Sequence, residues 1–316
     1  MPQIITLTIN PALDISTSVR KMLPFTKMRC AEAQRDPGGG GINVARVLTR
    51  LGIDAIAIYP AGGATGQTLA VLVERESVRS IVIPTANDTR EDITVFDETT
   101  REQFRLVFPG ASLSGFEWQQ CLDAVARFSS QVGFVIASGS LPPGVPDDFY
   151  GKVVRASNGA AKIVVDTTGT ALKAALEAGV YLIKPNLHEF QDLAGISTDD
   201  EPSLLEAGRS LFDRYRIEII ALSLGSQGAL LLTRDKALRA NGLPIEPVSV
   251  SGAGDSFLGA MVSSLAGNDN LEAALRYGVA GGSAALLSPG TGLCLREDID
   301  RLASSVNVTA VAGYHA

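Results

Sequence analysis

Short apolar runs recur along this chain, at residues 4–9, 55–59, 132–137, 162–165, 181–183 and 217–222. Runs rich in Ile and Val with few charges suit strands covered on both faces, where neither side meets water. Between them, residues 42–51, 65–76, 204–215, 254–265 and 271–287 carry apolar positions three and four apart, the period of a helix with one buried face. Ser114 and Glu117 predict a capping box that opens a helix through about Phe128, each side chain satisfying the other's free backbone amide. Strand alternating with helix predicts an α/β fold whose mostly parallel sheet is flanked by helices.

Two stretches break that rhythm. Residues 12–36 hold Thr, Ser and basic residues without a long helix, and residues 88–108 hold two alternating runs joined by the polar 97–102 segment. The second stretch reads as a β-hairpin with one polar face. Both follow the same early strands, so they predict one small sheet projecting from a single domain over residues 1–316.

Composition narrows the class. The 316 residues are 46% hydrophobic and 19% charged, enough for a large core. A net charge of −7 argues against a general nucleic-acid or membrane-surface binder, whose footprint would be basic. Cys30, Cys121 and Cys294 are few, odd in number and widely spaced, as in a reduced cytoplasmic protein without a disulfide framework. His188 and His315 cannot complete a zinc cluster of Cys/His type. No signal-peptide pattern and no membrane-length apolar run are expected.

Ligands of open parallel sheets bind beyond the carboxyl ends of the strands, so the residues that follow each run matter. They are Asn10 to Asp14, Gly62-Gly63, Ser138 to Gly144, Asp166, Lys184 to Glu189, and Ser223 to Gly225. Ser251-Gly252-Ala253-Gly254-Asp255 precedes a helix. Glycines there let backbone amides point at a phosphate, and the helix terminus adds positive charge. Asp255 could take a proton from an attacking hydroxyl, or be an ordinary stabilising acid in a first helical turn. The helix terminus is expected to keep it ionised, a weak base placed by geometry. Gly38 to Gly41 also run into a helix; four glycines cost chain entropy, so close approach to that backbone is expected, with Asn43 available to sugar hydroxyls. Lys27, Arg29, Arg90 and Arg105 lie in or beside the two insertions and suit either a substrate phosphate or a solvated hairpin face. Asn186 and Glu189, three apart, suit a magnesium ion held through water or a plain helix start. The only Gly-Lys pair, Gly151-Lys152, is followed by valine, and no G-x-S-x-G or strand-linked G-x-G-x-x-G exists. A P-loop, a serine hydrolase and a Rossmann dehydrogenase are thereby disfavoured.

Thr6 to Asp14, Pro37 to Arg46, Pro60 to Gly66, Ser138 to Val145, Lys184-Pro-Asn186-x-x-Glu189, Ser223-Leu-Gly225-x-x-Gly228 and Gly252 to Asp255 occur in the order found in the PfkB (ribokinase-like) carbohydrate kinases. The chain resembles that family over nearly its full length, and within it the minor 6-phosphofructokinase branch. The resemblance implies a ribokinase-like fold in which 12–36 and 88–108 form a β-sheet lid, also a pairing surface for a homodimer. It implies ATP and Mg2+, with fructose 6-phosphate as the phosphosugar acceptor. Asp255 would be the base, and Gly252, Ala253 and Gly254 an anion hole. Asp14, Lys27, Gly39, Asn43, Arg90 and Ser138 would contact sugar phosphate. Lys184, Asn186, Ser223, Gly225, Gly228, Val279 and Ser283 would line the nucleotide site, with Asn186 and Glu189 organising magnesium through water. Relatives that act on fructose 1-phosphate or tagatose 6-phosphate usually carry lysine where this chain has Gly40. Those acceptors, or a sensor without turnover, are the alternatives. Ser249-Val250-Ser251 departs from the Asp-Thr-x that many relatives carry, which puts a monovalent-cation site in doubt.

Overall fold

The apolar runs become the centre of a ten-stranded sheet in this computed structural model, which describes residues 3–314. His315 lies outside the described residues. In chain order the first strands are β1 (Ile4–Leu7), β2 (Ala12–Val19), β3 (Gln34–Gly38), β4 (Ala55–Ala61), β5 (Arg79–Pro84), β6 (Arg90–Asp97) and β7 (Gln103–Leu106). They continue with β8 (Phe134–Ser138), β9 (Lys162–Asp166), β10 (Val180–Ile183), β11 (Ile217–Ser223), β12 (Gly228–Leu232), β13 (Ala237–Asn241) and β14 (Val308–Ala310). The helices are α1 (Gly40–Arg50), α2 (Gly63–Arg75), α3 (Gly115–Ser129), α4 (Phe149–Ala156) and α5 (Gly169–Ala178). They continue with α6 (Leu187–Ala194), α7 (Glu201–Arg214), α8 (Ala253–Gly267), α9 (Leu271–Ala285) and α10 (Arg296–Ala303).

The large sheet runs in the order β14-β13-β12-β11-β10-β9-β8-β1-β4-β5. It is parallel from β11 across to β5. Successive residues face opposite sides, so Ile5 and Leu7 pack with α3 to α7 while Ile4 packs with α1, α8 and α9. Burying one such side chain contributes about 1.5–3 kcal/mol, which is why these runs carry few charges.

The antiparallel edge, β12 to β14, was not among the runs expected from sequence. Its physical basis is local: the apolar 228–232 stretch folds straight back on β11 through a tight turn at Gly225–Gln227. The capping box at Ser114 is present, with the Ser114 side chain accepting from Glu117 N and Glu117 from Ser114 N.

A separate four-stranded sheet has the order β3-β2-β6-β7. β2 and β6 pair in parallel from Ala12 opposite Arg90 to Val19 opposite Asp97. β6 and β7 form an antiparallel hairpin, whose turn is held by Asp97 Oδ1 accepting from the N–H groups of Thr99 and Thr100. No helix among the described residues is long and apolar enough to cross a membrane.

Candidate active site

Strand ends, the glycine-rich turn before α1 and the start of α8 meet in one cleft. A Cβ placed on Gly40 would lie 2.1 Å from Ser138 Oγ and 3.4 Å from Asp255 Oδ1. Only a residue without a side chain fits between those two groups. The close approach expected of this glycine run is therefore made first by the protein itself. Asn43, one turn into α1, donates its Nδ2 to Asp255 Oδ2 at 2.9 Å, and its Oδ1 accepts from Arg46 Nη1. Its expected sugar contact is thus left to the remaining amide N–H. Asp14 accepts from Thr291 Oγ1 at 3.2 Å.

Gly252 caps α8 in the left-handed region, φ 76°, with no side-chain cap. Glycine takes that conformation without the Cβ penalty, and the first-turn amides stay available to an anion. A Cβ on Gly254 would sit 3.3 Å from Lys184 Nζ, so a lysine stands directly beside this helix terminus. Lys184 is buried and pairs with Asp166 Oδ1 at 3.2 Å, while Asp166 Oδ2 accepts from Ser138 Oγ at 3.3 Å. Burial alone would depress the Lys184 ammonium, but Asp166, Asp255 and Glu189 hold it above its ordinary value.

The expectation of a weakly basic Asp255 is overturned. Burial, and then the charge of Asp166, push its carboxyl up to about 6, against the opposing effects of Asn43, Lys184 and Arg105. Tertiary packing outweighs the helix terminus here. Asp14 is also raised to about 6, by burial and then Asp92, against Thr291 and Arg105. Both carboxylates are mostly ionised at neutral pH yet close to taking a proton.

Asn186 and Glu189 start α6 as a reciprocal capping box, Glu189 N to Asn186 Oδ1 at 2.9 Å and Asn186 N to Glu189 Oε2 at 2.8 Å. The plain helix-start reading is realised, and Glu189 Oε1 remains for a hydrated cation. No group of three or more His, Cys, Asp or Glu suited to a metal occurs among the described residues. The pair therefore fits magnesium through water and not by direct enclosure. Ser223 bridges to Asn186 beside them. Gly225 (φ 58°) faces open space, whereas Gly228 (φ 96°) is packed against Ala240 O. Val279 is buried in the core, and Ser283, one turn further along α9, is half-buried. Gly39 (φ 110°) forms the N-cap of α1.

Arg90 spends its guanidinium on Phe108 O, Asn10 O and Asp92, which leaves Nε as a buried donor without a partner. Lys27 is exposed on the segment between β2 and β3. Arg105 on β7, expected only to meet a substrate phosphate or solvent, also lowers both Asp14 and Asp255 by its charge. Asp166 and Thr291 were not assigned a site role from sequence. Asp166 had a usable signal, because it ends a parallel strand beside Ser138; Thr291 had none.

The chain matches the pfkB family carbohydrate kinase over residues 11–298. It is 44% identical over 301 residues to the ATP-dependent 6-phosphofructokinase isozyme 2 of Mycobacterium tuberculosis, covering 95% of this chain and 88% of that one. It is 39% identical over 304 residues to the Escherichia coli enzyme of the same name, covering 96% and 98%. The crystal structure of E. coli phosphofructokinase-2 in complex with fructose-6-phosphate superposes with a TM-score of 0.90 at 37% identity, covering 96% and 99%. On a match of that length and these full-chain identities, the chain belongs to the pfkB family of carbohydrate kinases.

Proposed function

We propose that this protein is an ATP-dependent 6-phosphofructokinase that converts fructose 6-phosphate to fructose 1,6-bisphosphate by direct phosphoryl transfer. The observation that carries the reading is the start of α8. A half-buried carboxylate with a raised pKa, uncapped helix amides and a buried lysine converge there. Asp255 accepts the proton of the acceptor hydroxyl as that oxygen attacks the γ-phosphorus. The bond between the γ-phosphorus and the β–γ bridging oxygen breaks, and ADP leaves. Charge on the transferring group falls to the amides at Gly252, Ala253 and Gly254 and to Lys184, an electrostatic role suited to a loose transition state. Magnesium would supply neutralisation of the nucleotide phosphates, its waters held by Asn186 and Glu189.

The acceptor side is Asp14, Asn43 and Ser138 around Gly39 and Gly40, with Arg90, Arg105 and Lys27 supplying positive charge for the sugar phosphate. Gly40 supports fructose 6-phosphate as acceptor, since the relatives expected to take the other phosphosugars usually carry lysine at that place, where here even a Cβ would meet Ser138. The nucleotide lies over Lys184, Ser223, Gly225 and Gly228, toward Val279 and Ser283. The small sheet acts as a lid and as a pairing surface: Phe104, Leu106, Val107 and Phe108 are exposed on and beside β7, and Phe25 between β2 and β3. Exposed apolar side chains on a projecting sheet favour a partner of the same chain. Light scattering that gives only the 33.1 kDa monomer at micromolar concentration would remove the dimer.

The test of function is ADP release with MgATP and fructose 6-phosphate, tagatose 6-phosphate, fructose 1-phosphate or fructose. Greatest turnover with fructose 6-phosphate is expected. Preference for another phosphosugar overturns the acceptor, and no turnover from folded protein overturns the kinase reading.

A further inference from the structure

α1 places Asn43, Arg46 and Arg50 three and then four residues apart, on one face. Arg46 is 1% exposed, and a buried guanidinium is costly unless its donors are met. Nη1 is shared among Pro37 O, Asn43 Oδ1 and Thr291 O, each at 3.1 Å, and Nη2 donates to Glu76 Oε1 at 2.8 Å. Glu76 also takes Arg50 Nη2 at 3.1 and 2.9 Å. Arg50 Nη1 then donates to Gly292 O and Cys294 O. Each of these acceptors belongs to a segment that builds the cleft or clamps one that does. Pro37 precedes the glycine run, and Thr291 holds Asp14.

An asparagine amide offers a donor at one end and an acceptor at the other, and only the donor end can bond the ionised carboxylate of Asp255. Arg46 has donors only, so it takes Oδ1 and turns Nδ2 toward the carboxylate. We infer that Arg46, braced by Glu76, is a positioning residue that sets the orientation of Asn43 and through it the carboxylate of Asp255. The inference rests on Asp255 being the base.

Arg46→Lys keeps the charge, but one ammonium cannot serve a fork of four acceptors. We expect kcat to fall ~10–100-fold with KM for the phosphosugar changed less than ~3-fold, the split left by an interaction made chiefly in the transition state. The acid limb of kcat should move to higher pH, because the ionised carboxylate loses Asn43 as donor. Asp166, Lys184 and Arg105 also act on Asp255 but share no bond with Arg46, whereas Asp14 is reached through Thr291, so the limb is read together with the titration of Asp255 itself. Wild-type kcat and an unmoved limb, with only a lowered Tm, would mean a structural ion pair and overturn the inference. Should Arg46→Lys fail to fold, Glu76→Gln is the second variant: the same direction with a loss of ~3–10-fold is expected, and an unmoved limb overturns. Wild type is assayed first. If it turns over no phosphosugar, the kinase reading fails by itself. The carboxyl 13C titration of Asp255, assigned by the signal lost in Asp255→Asn, then decides: its midpoint must rise in Arg46→Lys.

Discussion

Two of the turns that deliver glycines into a helix, those before α1 and α8, are used in opposite ways. In the turn before α1 the space beside the backbone is filled. A Cβ on Gly38 would lie 2.3 Å from Asp14 Oδ1, and one on Gly41 would lie 2.6 Å from Leu7 O. The Ile42 N–H is already taken by Thr8 Oγ1 at 2.8 Å. At α8 no side chain caps the helix, and Lys184 stands beside Gly254. The first turn spends its freedom on an internal wall that sets the shape of the acceptor side. The second leaves amides facing outward, as an anion site requires. Similar glycine patterns thus separate into shape and charge only once their neighbours are known.

The largest test of the charge side is Asp255→Asn. Removing a general base costs ~10²–10⁴ in rate, read as kcat with fructose 6-phosphate. Stability should move the other way. The folded carboxyl is raised from 3.8 to about 6, so the folded state holds this proton more tightly than the unfolded chain. Ionisation therefore costs stability as pH rises from about 4 through 6, and the full penalty persists above that. Asparagine removes it, by about 1–3 kcal/mol at pH 7.5, and the gain in Tm should vanish below pH 4. A variant both inactive and less stable at pH 7.5 would contradict the charge assignment. In the wild type, Asp14 and Asp255 both titrate at about 6, so kcat/KM should fall on the acid side of that value. A flat profile down to pH 5 would show that neither ionised form is needed.

Gly252→Ala and Gly40→Ala set the two turns against each other. Alanine at 252 must adopt φ 76° and meet Leu293 Cδ2 at 2.4 Å. The left-handed conformation alone costs roughly 1–2 kcal/mol. Displaced amides should lower kcat by ~10²–10³, the usual loss for one such donor, with KM for the phosphosugar nearly unchanged. Alanine at 40 instead pushes Ser138 aside, so the phosphosugar KM should rise about tenfold, a loss near 1.4 kcal/mol, with a smaller effect on kcat. If both variants changed the same parameter, the division between shape and charge would fail.

The parallel centre of the sheet was legible because burial on both faces leaves apolar runs with few charges, as in 132–137 and 217–222. Ser114 and Glu117 were legible because a capping box is local. Gly38 to Gly41 and Gly252 to Asp255 stood out because glycine is costly in a chain that does not need it. What escaped depends on distance. Asn43 and Asp255 are 212 positions apart, and Arg46 reaches Thr291 across 245. No periodicity brings such pairs together. The basicity of Asp255 was misjudged for the same reason, since Asp166 reaches it only through the sheet. β13 and β14 were missed because short edge strands paired antiparallel carry little pattern of their own, whereas the apolar 229–232 run of β12 did carry a strand signal.

The smallest effect belongs to a third helix start, where a side chain does the capping. Ser114 accepts from Glu117 N at 3.3 Å, and Glu117 Oε2 accepts from Ser114 N at 2.7 Å. Ser114→Ala should cost about 1 kcal/mol, measured by urea unfolding, and leave kcat and KM at wild-type values because the bonds of Ser114 run to Glu117 and Trp118, neither of them a site residue. This variant sharpens the comparison by supplying its baseline. If a lost cap on α3 altered turnover as Gly252→Ala does, the effect at α8 would reflect general helix destabilisation and not the orientation of its amides. Wild-type turnover in Ser114→Ala leaves the exposed amides of α8 as what distinguishes that terminus.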